Sequence, residues 1–181
     1  MAKLVSKVYG DALFSLATED DKLDTIWGEV KVIRHMVSEN PDFVAMLCHP
    51  EMTQEKRMSV LEDIFKGKVS DDMMGFLHVL VQKRRMGDIL SILEYFDEQA
   101  KEYKKIGVVS VKTPMPLSDA QKEQIEKKLL EVSDYVDLEM HYEIDEALLG
   151  GIVIRIGDRV LDNSIRTKMD LLSRQLYKVK L

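Results

Sequence analysis

Apolar side chains recur at helical spacing through roughly the first hundred residues, but in short runs that helix-ending signals interrupt repeatedly. Asn40 suits an N-cap and Pro41 the first position of a helix, and Pro50 ends the short helix that they begin. Ser70 suits the N-cap of a later helix, and the two aspartates that follow it favour a helix start. Because short links place neighbouring helices side by side, this pattern predicts an antiparallel bundle of six helices.

The apolar spacing changes to that of β-strands beyond residue 105. Val109 and Val111 alternate with polar residues, and the segment 136–144 alternates along its whole length. Gly157 and the aspartate after it separate two apolar segments, as expected for a tight hairpin turn. The chain then closes on another run with helical spacing, so strands and helices share this part of the sequence.

Together these patterns predict a mainly α protein with two domains. Residues 1–105 form an N-terminal six-helix antiparallel bundle, and residues 106–181 form a small α+β domain with a β-hairpin and a C-terminal helix. The second domain is short for an independently stable core. We therefore expect docking to the bundle or to a partner to contribute to its stability.

The charge balance and cysteine content argue against several functional classes. The formal net charge is −6, whereas a protein that recognises duplex nucleic acid usually presents a basic face. The single cysteine, Cys48, excludes an internal disulfide and fits a reducing compartment. The N-terminal residues lack the continuous apolar core of a signal peptide, and no apolar run approaches the roughly 20 residues of a membrane span. Membrane association is therefore expected only through partners.

The adjacent glycines Gly150 and Gly151 do not fit a phosphate-binding loop. A P-loop requires Lys followed by Ser or Thr directly after its glycines, and a dinucleotide fingerprint requires three spaced glycines between a strand and a helix. Here the pair precedes a predicted strand at 152–156. We interpret the pair as structural, because glycine permits a bulge or a positive φ where the chain enters the sheet.

The titratable residues give no strong signal for catalysis or metal binding. The histidines lack the i,i+4 spacing of a zinc motif, and Cys48 and His49 are adjacent, so their side chains diverge on a helix. Glu139, His141 and Glu143 share one face of a predicted strand, which could form an acid–base site but is more typical of a solvated face. We predict no catalytic residue, no cofactor and no metal site.

The first and fifth helices carry apolar residues over unusually wide arcs. On the first helix one stripe runs at helical spacing through Val5, Val8, Tyr9, Ala12 and Leu16. On the fifth helix the apolar residues are Met73, Met74, Phe76, Leu77, Val79, Leu80 and Val81. Two explanations stay open on this evidence. Both helices could be buried at the centre of the bundle, or they could leave a groove for a partner helix.

The segment "LLGGIVIRIGDRVLDNSIRTKMDLL" resembles the C-terminal signature of the delta subunit family of F-type ATP synthases, which includes the mitochondrial oligomycin-sensitivity-conferring protein. The matching positions are Leu149, Gly150, Gly151, Gly157, Asp158, Asp162, Ser164 and Arg166. "YGDALFSLA" is similar to the family's first-helix motif, and "LVQKRRMGDI" to its junction between the fifth and sixth helices. Gly10 stands where alanine is usual, and Met169 where leucine is usual. The resemblance extends over essentially the whole chain.

The resemblance implies a non-catalytic subunit of the peripheral stalk, or stator, of a proton- or sodium-translocating ATP synthase. Such a subunit links the catalytic head to the stalk of b subunits, so that rotation couples to ATP synthesis. In that family the bundle receives the N-terminal segment of an alpha subunit between its first and fifth helices. On the matching positions, the expected alpha-binding residues are Tyr9, Ala12, Phe76 and Val79, whereas Phe14, Leu77 and Leu80 are expected in the bundle core.

The family's C-terminal domain contacts the C-terminal helices of the b subunits, and the residues expected to do so here are Gly151, Ile154 and Met169. The resemblance also implies a single copy in a hetero-oligomer, held at the cytoplasmic face of the cell membrane through partner subunits. A generic helical adaptor or regulatory protein is the alternative, and it would share the groove but not the C-terminal signature. A small hydrolase would need titratable groups clustered in a pocket, and we expect none.

Overall fold

The computed structural model describes residues 2–19, 21–169 and 172–173, and the chain divides into two compact units, Met1–Ala100 and Lys101–Leu181. The helices of the first unit are α1 (Ala2–Glu19), α2 (Leu23–Glu39), α3 (Pro41–Cys48), α4 (Gln54–Phe65), α5 (Asp71–Gln82) and α6 (Ile89–Tyr103), the last of which continues into the second unit. A single 3₁₀ turn, Met86–Asp88, joins α5 to α6. The predicted succession of six helices is confirmed.

In the first unit, α3, α4 and α5 begin at residues that the sequence marks as helix starts, although the Asn40 side chain makes no capping hydrogen bond to α3 and instead donates to the Met36 carbonyl. Pro41 occupies the first turn of α3. The Thr53 side chain accepts a hydrogen bond from the Lys56 N–H at the start of α4, and the Ser70 side chain accepts one from the Met73 N–H at the start of α5. These bonds satisfy N–H groups that have no partner inside the helix.

Long apolar side chains from all six helices fill the core of the first unit. Fully buried examples are Leu13, Ile26, Ile33, Leu47, Leu61, Met73, Leu77, Leu80, Ile92, Leu93 and Phe96. Asp97 is a buried carboxylate in this unit. It accepts hydrogen bonds from Trp27 Nε1 at 2.7 Å and from Arg34 Nη1 at 3.1 Å, so its charge is paired and α2 is tied to α6.

The buried face of α1 is not its most apolar stripe. The buried positions on this helix are Ser6, Gly10, Leu13 and Ala17, which recur at spacings of three and four residues. Small residues at three of these four positions let the helix approach its neighbours closely. Apart from Leu13, the larger apolar residues of α1 from Leu4 onwards therefore remain wholly or partly accessible.

The second unit contains a four-stranded sheet with one helix between its first two strands. Its elements are β1 (Ile106–Thr113), α7 (Asp119–Val132), β2 (Asp137–Ile144), β3 (Val153–Ile156) and β4 (Arg159–Asp162). The strand order is β2-β1-β3-β4, with β1 parallel to β2 and the other two pairs antiparallel. Residues 165–169 and 172–173 are helical, and we call them the C-terminal helix. The predicted small α+β domain with a hairpin and a C-terminal helix is confirmed.

Local sequence signals set the connections of the second unit. Ser118 and Gln121 form a capping box at the start of α7. Ile156 pairs with Arg159, so Gly157, at φ +54°, and Asp158 form the predicted two-residue hairpin turn. None of the described helices is both long enough and apolar enough to cross a membrane.

Candidate functional site

An exposed apolar stripe runs along α1. Leu4 is 69% exposed, Val8 57% and Leu16 37%, and the exposed Ala12 lies between the last two at the same four-residue spacing. Residues four apart lie on one side of a helix. Tyr9 lies beside this stripe and is half-buried. One side of α1 is thus an apolar surface that the first unit does not cover.

The contact of α1 with α6 fixes which side of α1 stays exposed. A Cβ atom at Gly10 would lie 2.4 Å from Tyr95 Cδ1, so only glycine admits the tyrosine ring at this position. The Tyr95 hydroxyl donates to Asp11 Oδ1 at 2.9 Å, and the rings of Phe14 and Phe96 meet edge to face. These contacts hold Gly10, Asp11 and Phe14 towards α6, and the apolar stripe lies on other sides of the helix.

The start of α5 is fixed by a residue of α2 and by a residue of the turn between α1 and α2. Glu29 accepts hydrogen bonds from the Ser70 N–H at 2.7 Å and from the Ser70 hydroxyl at 2.8 Å. Lys22 Nζ lies 2.8 Å from Asp72 Oδ2. Since Lys22 follows the end of α1, this ion pair brings the C-terminal end of α1 to the N-terminal end of α5.

The opposite ends of these two helices are linked through α6. Ser6 and Lys7 of α1 line the same surface depression as Ser91 of α6, whose first residue directly follows the 3₁₀ turn after α5. That turn also contacts α1. The N-terminal half of α1 therefore lies near the C-terminal end of α5, and the two helices run antiparallel.

The four residues predicted to bind the alpha subunit all keep accessible surface. Tyr9 and Phe76 are half-buried, Ala12 is exposed, and Val79 is 41% exposed. Phe76 and Val79 are three residues apart, so they share one side of α5. We call eight of the accessible apolar residues of these two helices the α1/α5 surface: Leu4, Val5, Val8, Tyr9, Ala12, Leu16, Phe76 and Val79.

The predicted core residues of these helices divide into two groups. Leu77 and Leu80 are fully buried, which confirms the prediction for α5. Phe14 is only half-buried, and its ring centroid lies 6.2 Å from that of Phe96. Leu4 was not among the predicted site residues. The sequence feature that could have identified Leu4 is the repeat of apolar residues every four positions from Leu4 to Leu16.

The three residues predicted to contact the b subunits differ in accessibility. Gly151 is exposed at φ +85°, and Met169 is 58% exposed on the C-terminal helix. Ile154 is only 8% exposed, because its side chain packs with Val109 and Val111 beneath the sheet. Its observed position supports the sheet from inside and offers little surface of its own.

The glycine pair lets the chain after β4 lie against the chain before β3. A Cβ at Gly151 would lie 2.3 Å from the Asn163 carbonyl oxygen, and one at Gly150 would lie 2.4 Å from Ile165 Cδ1. Backbone hydrogen bonds run from Asn163 N to the Ile152 carbonyl and from Ile165 N to the Gly150 carbonyl, both at 2.9 Å. The pair is therefore structural, as predicted, and it positions the start of the C-terminal helix.

The Asp-x-Ser part of the C-terminal signature forms the cap of that helix. Ser164 Oγ accepts from the Thr167 N–H at 3.2 Å, Asp162 Oδ1 accepts from the Ser164 N–H at 2.9 Å, and Asp162 Oδ2 accepts from the Thr167 hydroxyl at 2.7 Å. The Thr167 hydroxyl, and then the Ser164 groups, hold the pKa of the Asp162 carboxyl below its ordinary value. These hydrogen bonds fix the geometry of the chain at the start of the C-terminal helix.

The carboxylates and the histidine on the polar side of β2 are engaged in surface ion pairs. Glu139 lies 2.7 Å from Lys101 Nζ and 3.0 Å from His141 Nε2, and Glu143 lies 2.9 Å from Lys112 Nζ. The hydrogen bond from Lys101 is the main cause that lowers the pKa of Glu139. Over residues 2–19, 21–169 and 172–173, no group of three or more His, Cys, Asp and Glu side chains could hold a metal ion.

Cys48 does not form a nucleophilic pair with its neighbour. The thiol is exposed beside a cavity of about 500 Å³ between α3, α4 and the end of α5. The His49 ring accepts the Glu51 N–H through Nδ1 at 3.3 Å, and the His49 carbonyl accepts from Arg57 Nη2 at 2.6 Å. These contacts shape the α3–α4 link.

Comparison with known proteins gives a consistent result. The family model described as ATP synthase delta (OSCP) subunit matches residues 5–176. ATP synthase subunit delta of Lachnoclostridium phytofermentans is 46% identical over the full length of both chains. The subunit delta of Halalkalibacterium halodurans is 32% identical and covers 95% of this chain and 94% of that protein.

The fold also matches a solved structure. A chain in the cryo-EM structure of the Toxoplasma gondii mitochondrial ATP synthase hexamer superposes with a TM-score of 0.71 over 95% of this chain and 97% of that one, at 22% identity. At this identity the match concerns the fold. The family model and the two bacterial relatives cover nearly the whole chain, so this protein belongs to the ATP synthase delta (OSCP) subunit family.

Proposed function

We propose that this chain is a non-catalytic connector in the peripheral stalk of an F-type ATP synthase. One copy joins the catalytic head to the stalk of b subunits, so that the head cannot turn with the central shaft. The observation that carries the proposal is the apolar stripe of α1, which the first unit leaves uncovered, on a helix that runs antiparallel to α5. An exposed apolar stripe of this kind is typical of an interaction site.

The α1/α5 surface fits an amphipathic helix as its occupant. Two antiparallel helices with apolar residues along their accessible sides form a groove for a third helix, which binds through residues at i, i+3, i+4 and i+7. The N-terminal segment of an alpha subunit is the proposed occupant, and Tyr9, Ala12, Phe76 and Val79 are its proposed contacts. Tyr9 and Phe76 would act as partly pre-packed aromatic anchors, which favours affinity because little side-chain freedom is lost on binding.

A connector that transmits torque must dissociate slowly. Differences in affinity between related complexes arise mainly in the dissociation rate, and buried apolar and aromatic contacts slow it. An interface of ordinary size, about 1,200–2,000 Å² in total, is sufficient if its central anchors are well buried. The α1/α5 surface, with two aromatic residues near its middle, suits that requirement.

The proposed alpha contact is tested with Ala12→Asp. A synthetic peptide with the N-terminal sequence of the cognate alpha subunit is titrated into the full chain, and binding is followed by calorimetry and by fluorescence of Trp27, the single tryptophan. Burying an unpaired carboxylate in an apolar interface is strongly unfavourable, so we expect the substitution to weaken binding at least a hundredfold. Helicity by circular dichroism should not change, because Ala12 is exposed.

Val32→Asp is the matched control for that test. Val32 is an exposed apolar residue on α2, outside the α1/α5 surface, so this variant should bind the peptide like the unaltered chain. Equal loss of binding in both variants, or undiminished binding by Ala12→Asp, would reject the groove.

We further propose that the second unit contacts the C-terminal helices of the b subunits through the region of Gly151, Ile154 and Met169. Apolar surface around Met169 supports this, because Ile165 and Leu172 lie four and three residues away on the C-terminal helix and are also exposed. Gly151 positions that helix, and Ile154 packs in the apolar cluster of the sheet. The protein would be held at the cytoplasmic face of the membrane through these partners.

The stalk contact is tested with Met169→Asp in a pull-down of the full chain with a fragment that contains the C-terminal helix of a cognate b subunit. A charge within the apolar stripe should reduce capture at least tenfold. Val132→Asp, at an exposed residue of α7, is the control and should leave capture unchanged. Unaltered capture by Met169→Asp would assign the b contact to another part of the chain.

A further inference from the structure

The α1/α5 surface has opposite charges at its two ends. At the end where α1 stops and α5 starts, the exposed or half-buried carboxylates are Glu19, Asp21, Asp71 and Asp72. Asp24 at the start of α2 is a further exposed carboxylate, and the exposed cations nearby are Lys22, which is paired with Asp72, and Lys66 and Lys68 in the link before α5. This end therefore carries an excess of negative charge.

The other end carries an excess of positive charge. Lys83, Arg84 and Arg85 follow the last turn of α5 and are exposed, and Arg85 lies 3.6 Å from its local partner, Asp88. Lys7 of α1 lies near this end, but it lines a depression with Glu94 and Glu98 of α6 on a different side of α1. The three cations after α5 therefore dominate the charge at this end.

Charged residues lie in line with the apolar residues of the surface. On α5, Asp72, Phe76, Val79 and Lys83 recur at spacings of four, three and four, so an acid and a base flank the two apolar residues. On α1, Glu19 follows Leu16 by three residues, on the same side of the helix. A helix seated on the apolar residues would bring its own terminal side chains next to these charges.

We infer that the α1/α5 surface selects the direction of its partner by charge order. The partner is an amphipathic helix with carboxylates towards one end and Lys or Arg towards the other, and its acidic end lies at Lys83 while its basic end lies at Glu19. The inference rests on the proposed function, since it concerns the occupant of the same surface, and it adds the chemistry and orientation of that occupant.

The direction of the chain follows from helix electrostatics. A helix is stabilised by acidic residues in its first turn and basic residues in its last turn. A partner helix of this usual kind places its N-terminus at Lys83 and its C-terminus at Glu19, so it runs parallel to α1 and antiparallel to α5. The opposite direction would set its carboxylates against Glu19 and Asp72, and its cations against Lys83 and Arg84.

The orientation is measured on the full chain with two peptides. One is the N-terminal segment of the cognate alpha subunit, and the other has the same apolar residues with its acidic and basic positions exchanged. Each carries a nitroxide at its N-terminus, and the broadening of backbone amide signals in the ¹⁵N-labelled chain shows which end the label approaches. We expect the cognate peptide to broaden residues around Lys83 and the exchanged peptide to broaden residues around Glu19.

Affinity gives a second readout. Exposed charge pairs contribute modestly, so at low ionic strength we expect the exchanged peptide to bind about threefold to tenfold more weakly. The difference should vanish in about 1 M salt, where screening extends to about 3 Å. In the double variant Glu19→Lys with Lys83→Glu, the preference should reverse. Glu123→Lys with Lys127→Glu exchanges charges on exposed positions of α7 in the second unit and should not alter it.

The outcomes separate the inference from the proposed function. If neither peptide binds, the groove is rejected and the inference with it. If both bind with the label at the same end, or if the double variant keeps the original preference, the groove stands and selection by charge order is wrong. A cognate segment whose acidic and basic residues are not segregated would also overturn the inference.

Discussion

The two units of this chain bury apolar surface to very different extents. In the helical unit every helix contributes fully or nearly fully buried side chains, and large side chains such as Ile33, Leu93 and Phe96 have no accessible surface. In the sheet unit the buried cluster under the sheet consists of Val109, Val111, Leu138 and Ile154. No residue of α7 is buried, and all four residues of β4 are exposed.

This difference indicates distinct sources of stability. The helical unit encloses its own core and leaves a limited apolar surface along α1 and α5. The sheet unit leaves large apolar side chains accessible relative to its small core, with Leu161 61% exposed and Val132 86% exposed. Small cores supply little net stability, so a unit of this kind gains more from a partner that covers it.

The largest expected effect is on the core of the helical unit. Leu93→Ala removes a fully buried side chain and should lower the free energy of unfolding by about 2–5 kcal/mol, because the cavity collapses only partly. Leu129→Ala, at a half-buried position of α7, should lower it by only about 1 kcal/mol. Urea unfolding followed by Trp27 fluorescence reports the first unit, and hydrogen exchange by mass spectrometry reports both. Equal losses would remove the contrast between the units.

A smaller effect on stability is expected when two glycines, one in each unit, are replaced by alanine. Gly151→Ala forces a Cβ towards the Asn163 carbonyl at a positive φ, so it should destabilise the sheet unit by about 1–3 kcal/mol and raise hydrogen exchange around β3 and β4. Gly28→Ala, on an exposed side of α2 with open space around the new methyl group, should instead stabilise the helical unit by about 0.5–1 kcal/mol. A neutral Gly151→Ala would show that this loop relaxes without strain.

The smallest expected effect is a loss of local stability at the start of the C-terminal helix at acid pH. The hydrogen bonds from Thr167 and Ser164 depress the pKa of Asp162 in the folded chain below its ordinary value of 3.8. The stabilisation that these bonds contribute is therefore complete above pH 3.8, and it is lost as the pH falls through the depressed pKa of the folded state. Protection of the start of the C-terminal helix against hydrogen exchange should therefore decrease below about pH 4. Asp162→Asn should flatten this dependence. An unchanged pH profile in the variant would assign the acid sensitivity to another group.

Local features of the fold followed from the sequence. The cap at Ser70 and the hairpin turn at Gly157 depend on neighbouring residues, so short-range patterns predict them. The parallel pairing of β1 with β2 did not follow, although both strands were predicted. Strand pairing depends on contacts between residues far apart in the chain, and alternation in one strand does not identify its neighbour.

The candidate surfaces were predicted only in part, and the prediction came from the family resemblance and not from local patterns. Apolar spacing alone left the stripe of α1 open to burial or exposure, and the family resemblance favoured a groove. The structure shows the stripe accessible because Tyr95 packs on Gly10 and turns the small-residue side of α1 inwards. Ile154 was predicted as a surface residue of the stalk contact, and its burial depends on the sheet order, which no local pattern indicated.

The sequence by itself determined the family, the helices and strands, and the structural role of the glycine pair, because these depend on residue type and spacing along the chain. The tertiary structure decided which side of each helix is covered, how the four strands are ordered, and which charges lie at each end of the α1/α5 surface. Those properties depend on contacts between residues far apart in the chain, such as Gly10 with Tyr95 and Lys22 with Asp72. Only the folded chain fixes such contacts.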